Sequence, residues 1–152
     1  MAPPQRKHPA HGVLACEGAS TIVFVTVCTR GRLPWLATHE VHQILGEVWT
    51  SATAWLVGRY VIMPDHIHLF AGWRDLNIPL DNWVRYWKSL FSKRHRNAQH
   101  RWQTDHWDRR LRSGDSYEEK WIYMENNPVR HGLVTCASDW PFQGEIYRLS
   151  ME

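Results

Sequence analysis

The sequence has few cysteines and no long hydrophobic run. Its three cysteines, Cys16, Cys28 and Cys136, form no Cys-x-x-Cys pair, so neither a disulfide framework nor a zinc knuckle is indicated. No apolar segment approaches the roughly 18 residues of a membrane-spanning helix, and no apolar stretch of signal-peptide length follows the charged N-terminus. These absences exclude a disulfide-stapled secreted protein and a membrane protein. They predict a soluble protein of the reducing cytoplasm.

A strong net charge is also lacking, but the basic residues are unevenly distributed. The formal charge of the chain is only +3, whereas residues 82–113 contain nine Lys and Arg against two Asp, a local charge of +7. Aromatic residues are interleaved with these cations: Trp83, Tyr86, Trp87, Phe91, Trp102 and Trp107. Cations neutralise phosphates and exposed rings stack on unpaired bases, so this mixture is typical of a surface for single-stranded or hairpin nucleic acid. The alternative is a solvated helix face with tryptophans in the core.

The chain is long enough for one domain with a single hydrophobic core. Residues 1–18 contain three prolines and several charges without periodicity, which predicts a flexible basic arm. Residues 19–152 are predicted to form the folded domain.

Hydrophobic periodicity predicts a strand, a helix, the two strands of a hairpin and a second, amphipathic helix. These elements cover residues 20–29, 38–55, 56–63 and 66–73, and the second helix starts near Leu80. A third helix is predicted over residues 117–126. Pro128 should kink or end it, because proline lacks an amide hydrogen and disfavours helical geometry at the preceding residue. An antiparallel α+β sheet accounts for this order.

Two histidines lie at the start of the second hairpin strand. Side chains in a strand alternate between its faces, so His66 and His68 project from one face while Ile67 projects from the other. Two neighbouring imidazoles can share a metal ion. The alternative is coincidence, because the chain contains 10 histidines.

The segment Val61-Ile-Met-Pro-Asp-His-Ile-His-Leu-Phe70 is followed downstream by Tyr123-Met-Glu-Asn-Asn-Pro-Val-Arg-His-Gly-Leu-Val134. These two motifs, in this order, resemble those of the single-tyrosine transposases of the histidine-hydrophobe-histidine superfamily. The most similar branch is the transposase-like proteins associated with repetitive extragenic palindromes. The resemblance covers roughly residues 20–147.

The resemblance implies a ferredoxin-like βαββαβ antiparallel sheet with helices mainly on one face, plus a C-terminal catalytic helix. Residues 103–112, which have no clear period, would then form the fourth strand. Tyr123 would be the nucleophile that joins to the 5′ phosphate of single-stranded DNA, and His66, His68 and Asn127 would hold Mg²⁺ or Mn²⁺. No nucleotide cofactor is required, because the phosphotyrosine conserves the bond energy.

The expected partner is single-stranded or hairpin DNA with short inverted repeats, bound by a monomer or a homodimer. Lys88 matches a lysine that faces DNA in the family; on the residues alone, a solvated lysine is equally compatible. The basic residues expected to contact DNA are Arg85, Lys88, Lys93, Arg94, Arg96 and Arg112.

Several alternatives stay open. The residues alone favour Tyr123 as a buried aromatic residue that holds its helix to the sheet, and Asn127 is compatible with a helix C-terminal residue before proline. A kink at Pro128 is one way in which Asn126 or Glu119 could take the place of Asn127 at the metal. The rival functions are a hairpin-binding protein that no longer cleaves DNA and a metal-dependent phosphoesterase without a covalent step. His131 departs from the family pattern, in which the residue before the glycine is small.

Overall fold

The computed structural model describes residues 21–75, 77–112 and 115–150. The predicted arm at residues 1–18 lies outside these ranges. Nine elements follow in chain order: β1 (Ile22–Cys28), α1 (His39–Ser51), β2 (Trp55–Ile62), β3 (His66–Trp73), α2 (Leu80–His95), β4 (Trp107–Arg110), α3 (Tyr117–Glu125), α4 (Asn127–Arg130) and β5 (Gln143–Glu145). Short 3₁₀ turns occupy Arg30–Arg32 and Ala137–Asp139.

The strands form one antiparallel sheet in the order β4-β1-β3-β2-β5. The first four strands have the ferredoxin-like arrangement, so the predicted α+β fold and the fourth strand are confirmed. The short strand β5 extends the sheet beyond β2 and was not predicted, since three residues carry too little periodicity.

Helix α1 begins where its N-cap predicts and ends earlier than expected. The Thr38 hydroxyl accepts a hydrogen bond from the amide of Val41, which satisfies one of the free donors of the first turn. The helix ends at Ser51, whereas the periodicity predicted helix up to Trp55. Trp55 instead opens β2, fully buried, and its indole donates to the carbonyl of Ile78.

The helices cover both faces of the sheet. Val23, Val25 and Val27 point to the face where α1 and α2 supply the main core. Ile22 and Phe70 point to the opposite face and pack with Trp121 of α3. Because side chains alternate along a strand, the face under α3 is also the one that presents His66 and His68.

Most tryptophans belong to the core. Eight of the ten are buried: Trp35, Trp49, Trp55, Trp83, Trp87, Trp102, Trp121 and Trp140. In the basic segment, the aromatic residues that remain accessible are Tyr86, which is 58% exposed, and the half-buried Trp107. Most of the aromatic residues predicted to form a stacking surface are therefore core residues, as the alternative interpretation expected.

Within the part of the chain that the structure describes, no helix combines the length and the apolar content needed to cross a bilayer. Cys28 and Cys136 are both free thiols.

Candidate active site

The two histidines of β3 lie side by side, as predicted. The ring centroids of His66 and His68 are 4.6 Å apart and the ring planes are nearly perpendicular. His68 also stacks on Phe24 of the neighbouring strand β1. The pairing of β1 with β3 holds both backbones, so the two imidazoles are fixed by the centre of the sheet.

Each imidazole has its Nδ1 atom engaged by a neighbour. His66 Nδ1 lies 2.7 Å from Asp65 Oδ1, and Asp65 Oδ2 accepts from Arg32 Nε at 3.0 Å. His68 Nδ1 lies 2.9 Å from Thr26 Oγ1, its partner across the β1–β3 ladder. When Nδ1 carries the proton and donates it to such an oxygen, the Nε2 lone pair is free to bind a metal.

Both histidines are neutral at physiological pH. Burial lowers the pKa of His66, although the Asp65 carboxylate opposes this shift. Burial, followed by the positive potential of His66, lowers the pKa of His68 to about 3. Burial works against ionisation of Asp65, but its hydrogen bonds with His66 and Arg32 hold the pKa of this carboxyl below its usual range. Asp65 therefore stays a carboxylate and accepts a hydrogen bond when His66 Nδ1 carries the hydrogen.

Tyr123 lies on α3 with its side chain accessible. The first turn of the helix is capped by Ser116 and anchored to β2, because Tyr117 Oη accepts the amide hydrogen of Arg59 at 3.1 Å. Tyr123, two turns further on, is 63% exposed. The alternative of a buried structural tyrosine is therefore wrong.

Arg130 holds the end of α3 against α4. Its guanidinium carbon lies 3.9 Å from the Tyr123 ring centre, and its Nη1 donates to the Tyr123 carbonyl at 2.7 Å. A cavity of about 130 Å³ beside Tyr123 is also lined by Phe24, which stacks on His68, and by Arg109. Phe24 thus lines the same cavity as Tyr123 and also stacks on His68.

Asn127 is the first residue of α4 and is buried, at 5% exposure. Its Oδ1 accepts a hydrogen bond from Arg130 Nη2 at 3.3 Å, and its backbone carbonyl lies 2.9 Å from Nδ1 of His131. The His131 ring centre is 6.5 Å from that of His66. The helix therefore stops at Asn126 and restarts, as Pro128 predicts, and the restarted segment stays beside the histidine pair.

The donors gathered here suit a divalent cation. Two neutral imidazoles on one strand face are nitrogen donors of the kind that a divalent cation binds, and the side-chain amide of the buried Asn127 is a candidate oxygen donor. With three or fewer protein ligands, coordination positions would remain for water and phosphate.

A basic cleft borders α2. It has a volume of about 360 Å³ and is lined by Arg30, Arg85, Lys88 and Arg101, with Ser89, Ser92, Trp102, Gln103 and Thr104. Lys88 is only 6% exposed, and its ammonium donates to the carbonyl of Gln103 at 2.9 Å. The alternative of a freely solvated Lys88 is thus wrong, and its charge is held at the wall of the cleft.

The other basic residues expected to contact DNA do not share that cleft. Arg94 lines a different groove, between α1 and β2, where it lies 3.8 Å from Glu47. Lys93 and Arg96 are exposed at the C-terminal end of α2, and Arg112 is exposed after β4. The basic residues that local charge suggested as one DNA-binding surface therefore lie at several separate places on the protein.

Sequence reasoning missed the residues that orient the histidines and frame the tyrosine. They are Thr26, Arg32, Asp65, Arg109 and Arg130. Asp65 was visible in the hairpin motif as a turn residue, and its position next to His66 was a signal. For Thr26 no signal existed, because its contact depends on strand register. Arg130 was visible within the second motif, but its contacts depend on the break between α3 and α4.

The fold and the site together define an α+β protein with a ferredoxin-like sheet, whose central strand presents a histidine pair beneath a tyrosine-bearing helix. No protein-family model matches the sequence. The chain is 30% identical over 129 residues to the REP-associated tyrosine transposase of Escherichia coli (strain K12), covering 78% of this chain and 73% of that protein. The chain belongs to the REP-associated tyrosine transposase family.

Two further similarities agree with this assignment. A Haemophilus influenzae protein described by the same family name is 29% identical over 97 residues, which cover 53% of either chain. A solved structure described as a REP-associated tyrosine transposase bound to a REP hairpin has a TM-score of 0.71 and 23% identity. It covers 94% of this chain and 82% of that one, and it supports the fold.

Proposed function

We propose that this protein is a transposase of the DNA-hairpin-recognising kind, which cleaves and rejoins single-stranded DNA through a covalent bond to Tyr123. Family membership supports the enzyme class, and the related structure with a hairpin supports the substrate class. The observation that carries the proposal is the pair of neutral, oriented imidazoles of His66 and His68 on the sheet face under the helix of an exposed Tyr123.

Mg²⁺ or Mn²⁺, held by His66, His68 and Asn127, would supply positive charge to the scissile phosphate. The Asp65 carboxylate, which can only accept, favours the tautomer of His66 that leaves Nε2 unprotonated, and the Thr26 hydroxyl would do the same for His68 when it accepts a hydrogen bond from Nδ1. Arg130 holds the Tyr123 ring from one side and limits the directions from which its hydroxyl can meet a phosphate. The residues of this chain thus position the reacting groups, and positioning supplies a large part of the rate of such reactions.

In the cleavage step Tyr123 Oη loses its proton to the surroundings and forms a bond to phosphorus. The bond from phosphorus to the 3′ oxygen of the preceding nucleotide breaks, and that oxygen takes up a proton to become a 3′ hydroxyl. The 5′ phosphate remains on Tyr123. Attack by another 3′ hydroxyl reverses the step and rejoins a strand without a nucleotide cofactor.

DNA would follow the basic residues around this site. The cleft lined by Arg30, Arg85, Lys88 and Arg101 gathers four cations, as a groove that follows one strand of DNA should. We propose that Lys93, Arg94, Arg96 and Arg112 contact phosphates elsewhere on the hairpin. Such contacts orient the DNA without reading its sequence.

The decisive experiment compares Tyr123→Phe with Tyr86→Phe. Both tyrosines are exposed helix residues, at 63% and 58%, so the second substitution controls for the loss of an accessible hydroxyl. Each protein is incubated with Mn²⁺ and an end-labelled single-stranded oligonucleotide that folds into a hairpin through a short inverted repeat. Denaturing gels then detect the protein–DNA adduct, and filter binding measures affinity.

The wild type and Tyr86→Phe should form the adduct, whereas Tyr123→Phe should bind the hairpin equally well without forming it. An adduct with Tyr123→Phe would overturn the assignment of the nucleophile. Cleavage by the wild type without any adduct would favour the metal-dependent phosphoesterase. Hairpin binding by the wild type with neither cleavage nor adduct would favour the inactive binding protein.

A further inference from the structure

A second cluster of candidate metal ligands lies outside the site described above. Asp81 is in the first turn of α2, His106 immediately precedes β4, and Asp108 lies within β4. His106 Nε2 is 3.0 Å from Asp108 Oδ2 and 3.3 Å from Asp81 Oδ1. One ligand atom from each of the three residues lies within 4.8 Å of the others. Helix α2 and the edge strand β4 thus place three donor side chains around a single point.

This cluster is on the opposite face of the sheet from the histidine pair. Thr26 pairs with Trp107 and reaches His68, so these side chains share one face. Asp108 pairs with Val25, which belongs to the core under α1 and α2. Because side chains alternate, Asp108 points away from His68, and the cluster cannot share an ion with the catalytic site.

The cluster is buried and rich in negative charge. The side chain of Asp108 is 0% exposed and that of His106 is 3% exposed, while Asp81 is 24% exposed. Two carboxylates therefore face one ring nitrogen, which carries at most one hydrogen. In the described part of the chain, no group donates a hydrogen bond to the buried Asp108 Oδ1. A buried carboxylate oxygen without a donor is costly, and a cation would remove that cost.

We propose that Asp81, His106 and Asp108 bind a structural divalent transition-metal ion of the Zn²⁺ class. One imidazole nitrogen and two carboxylate oxygens are a donor set that Zn²⁺ accepts. The partly exposed side at Asp81 leaves access for the ion and for a water as fourth ligand. The ion would fasten the start of α2 to β4, a four-residue edge strand that contains Asp and two Arg and has little strand propensity of its own.

The rival structure is a protonated His106 shared between the two carboxylates, without any metal. Zn²⁺ should bind to the cluster and stabilise the protein only in the proposed arrangement. This difference can be measured without a catalytic assay. The test therefore uses the full-length chain with His66→Ala and His68→Ala, which removes the imidazoles of the proposed active-site metal and leaves the second cluster intact. After chelator treatment and dialysis, Zn²⁺ alone is added and followed by calorimetry and thermal unfolding.

One equivalent of Zn²⁺ should bind to the double variant. At a hundredfold excess over the dissociation constant, the midpoint of thermal unfolding should rise by roughly 5–10 °C. Adding Asp108→Asn or Asp81→Asn to this background should weaken binding at least tenfold and reduce the rise at the same Zn²⁺ concentration by about half or more. Asp105→Asn, an exposed carboxylate next to His106 in sequence, is the matched control and should leave both unchanged.

Asp81→Asn serves as a second variant because Asp81 is the most accessible of the three ligands, and its loss leaves the buried pair of His106 and Asp108 in place. In an otherwise wild-type chain, Asp81→Asn should reduce the number of Zn²⁺ sites by one. If the double histidine variant binds no Zn²⁺ and its unfolding midpoint does not change when Zn²⁺ is added, the proposal is overturned in favour of a His106 shared between the two carboxylates without a metal. Binding that survives both aspartate substitutions would overturn it as adventitious binding elsewhere.

Discussion

The guanidinium of Arg130 lies over the ring of Tyr123, 3.9 Å from its centre, and also donates hydrogen bonds to the Tyr123 carbonyl and to Asn127 Oδ1. One side chain thus spans the break between α3 and α4 and contacts both the proposed nucleophile and a proposed metal ligand. Arg130 therefore contributes to the relative position of these two groups.

The first prediction follows from that contact. Arg130→Lys keeps a positive charge but loses the fork that reaches two acceptors at once. The rate of adduct formation should fall by roughly ten- to a hundredfold, the equivalent of one charge-assisted hydrogen bond. Arg148→Lys, an exposed arginine after β5, is the comparison and should react like the wild type. Single-turnover gels measure both rates, and an unchanged rate in Arg130→Lys would show that Arg130 does not position Tyr123.

The second prediction concerns stability and pH in metal-free protein. Burial lowers the pKa of His68 to about 3, whereas a histidine in the unfolded chain titrates near 6.5. As the pH falls below about 6.5, the unfolded state binds a proton that the folded state does not, so stability declines until the pH approaches 3. Above about pH 6.5 this histidine causes no pH dependence.

His68→Asn should therefore flatten the decline of the unfolding midpoint between pH 6.5 and 4, whatever its effect on the midpoint at pH 7.5. Thermal unfolding across this pH range measures the slopes of the variant and of the wild type. Parallel curves for His68→Asn and the wild type would contradict a lowered pKa for His68.

The third prediction addresses the third metal ligand. Asn127→Ala should raise the Mn²⁺ concentration needed for half-maximal cleavage by about tenfold or more, because a neutral oxygen ligand is lost while both imidazoles remain. Asn126→Ala is the natural comparison, since the Asn126 side chain donates to the Ile122 carbonyl within its own helix. If the Mn²⁺ requirement moves in Asn126→Ala or Glu119→Ala and not in Asn127→Ala, one of those residues is the ligand instead.

The fourth prediction tests the basic cleft. Arg85→Ala and Arg101→Ala should each weaken hairpin binding and reduce the slope of log affinity against log salt by about 0.7 to 0.9, the value of one phosphate contact. Arg148→Ala provides the reference. Leu149, the neighbour of Arg148 in sequence, packs on Gly72, which pairs with Ile22 at the start of β1. The cleft lies beyond the other end of β1, at Cys28, so Arg148 is placed away from the cleft. Equal slopes in all variants would remove the cleft from the DNA interface.

The fifth prediction concerns two glycines with opposite surroundings. A Cβ atom at Gly58 would lie 2.6 Å from Leu149 Cδ1 and 2.6 Å from Tyr117 Oη. Gly58→Ala should therefore disturb the hydrogen bond from Arg59 to Tyr117 and destabilise the protein by about 1–3 kcal/mol.

A Cβ atom at Gly46, within α1, would meet no atom within 4 Å. Gly46→Ala should stabilise the protein by about 0.4–1 kcal/mol, because alanine restricts the unfolded chain and favours a helix. Chemical denaturation of both variants measures the free energy of unfolding. A loss of stability in Gly46→Ala, or none in Gly58→Ala, would contradict the packing described for these positions.

Most of the fold could be predicted from the sequence because its determinants are local. Strand alternation around His66 and His68, the Thr38 cap and the amphipathic pattern of α2 each depend on residues within a few positions of one another. The ferredoxin-like topology followed from the order of these elements together with the family resemblance. Strand β4 had no period of its own and was placed only by that resemblance.

The sequence by itself thus determined which elements form, the sheet face that presents both histidines, and the break that Pro128 introduces before α4. Tertiary structure alone decided that Lys88 is buried, that Arg94 lies apart from Arg85, and that Tyr123 is exposed beneath Arg130. It also brought Asp81 to His106 and Asp108 across 25 residues of chain. Burial and contacts between distant segments depend on how α2, α3 and β4 pack on the sheet, and no short-range pattern of residues encodes that packing.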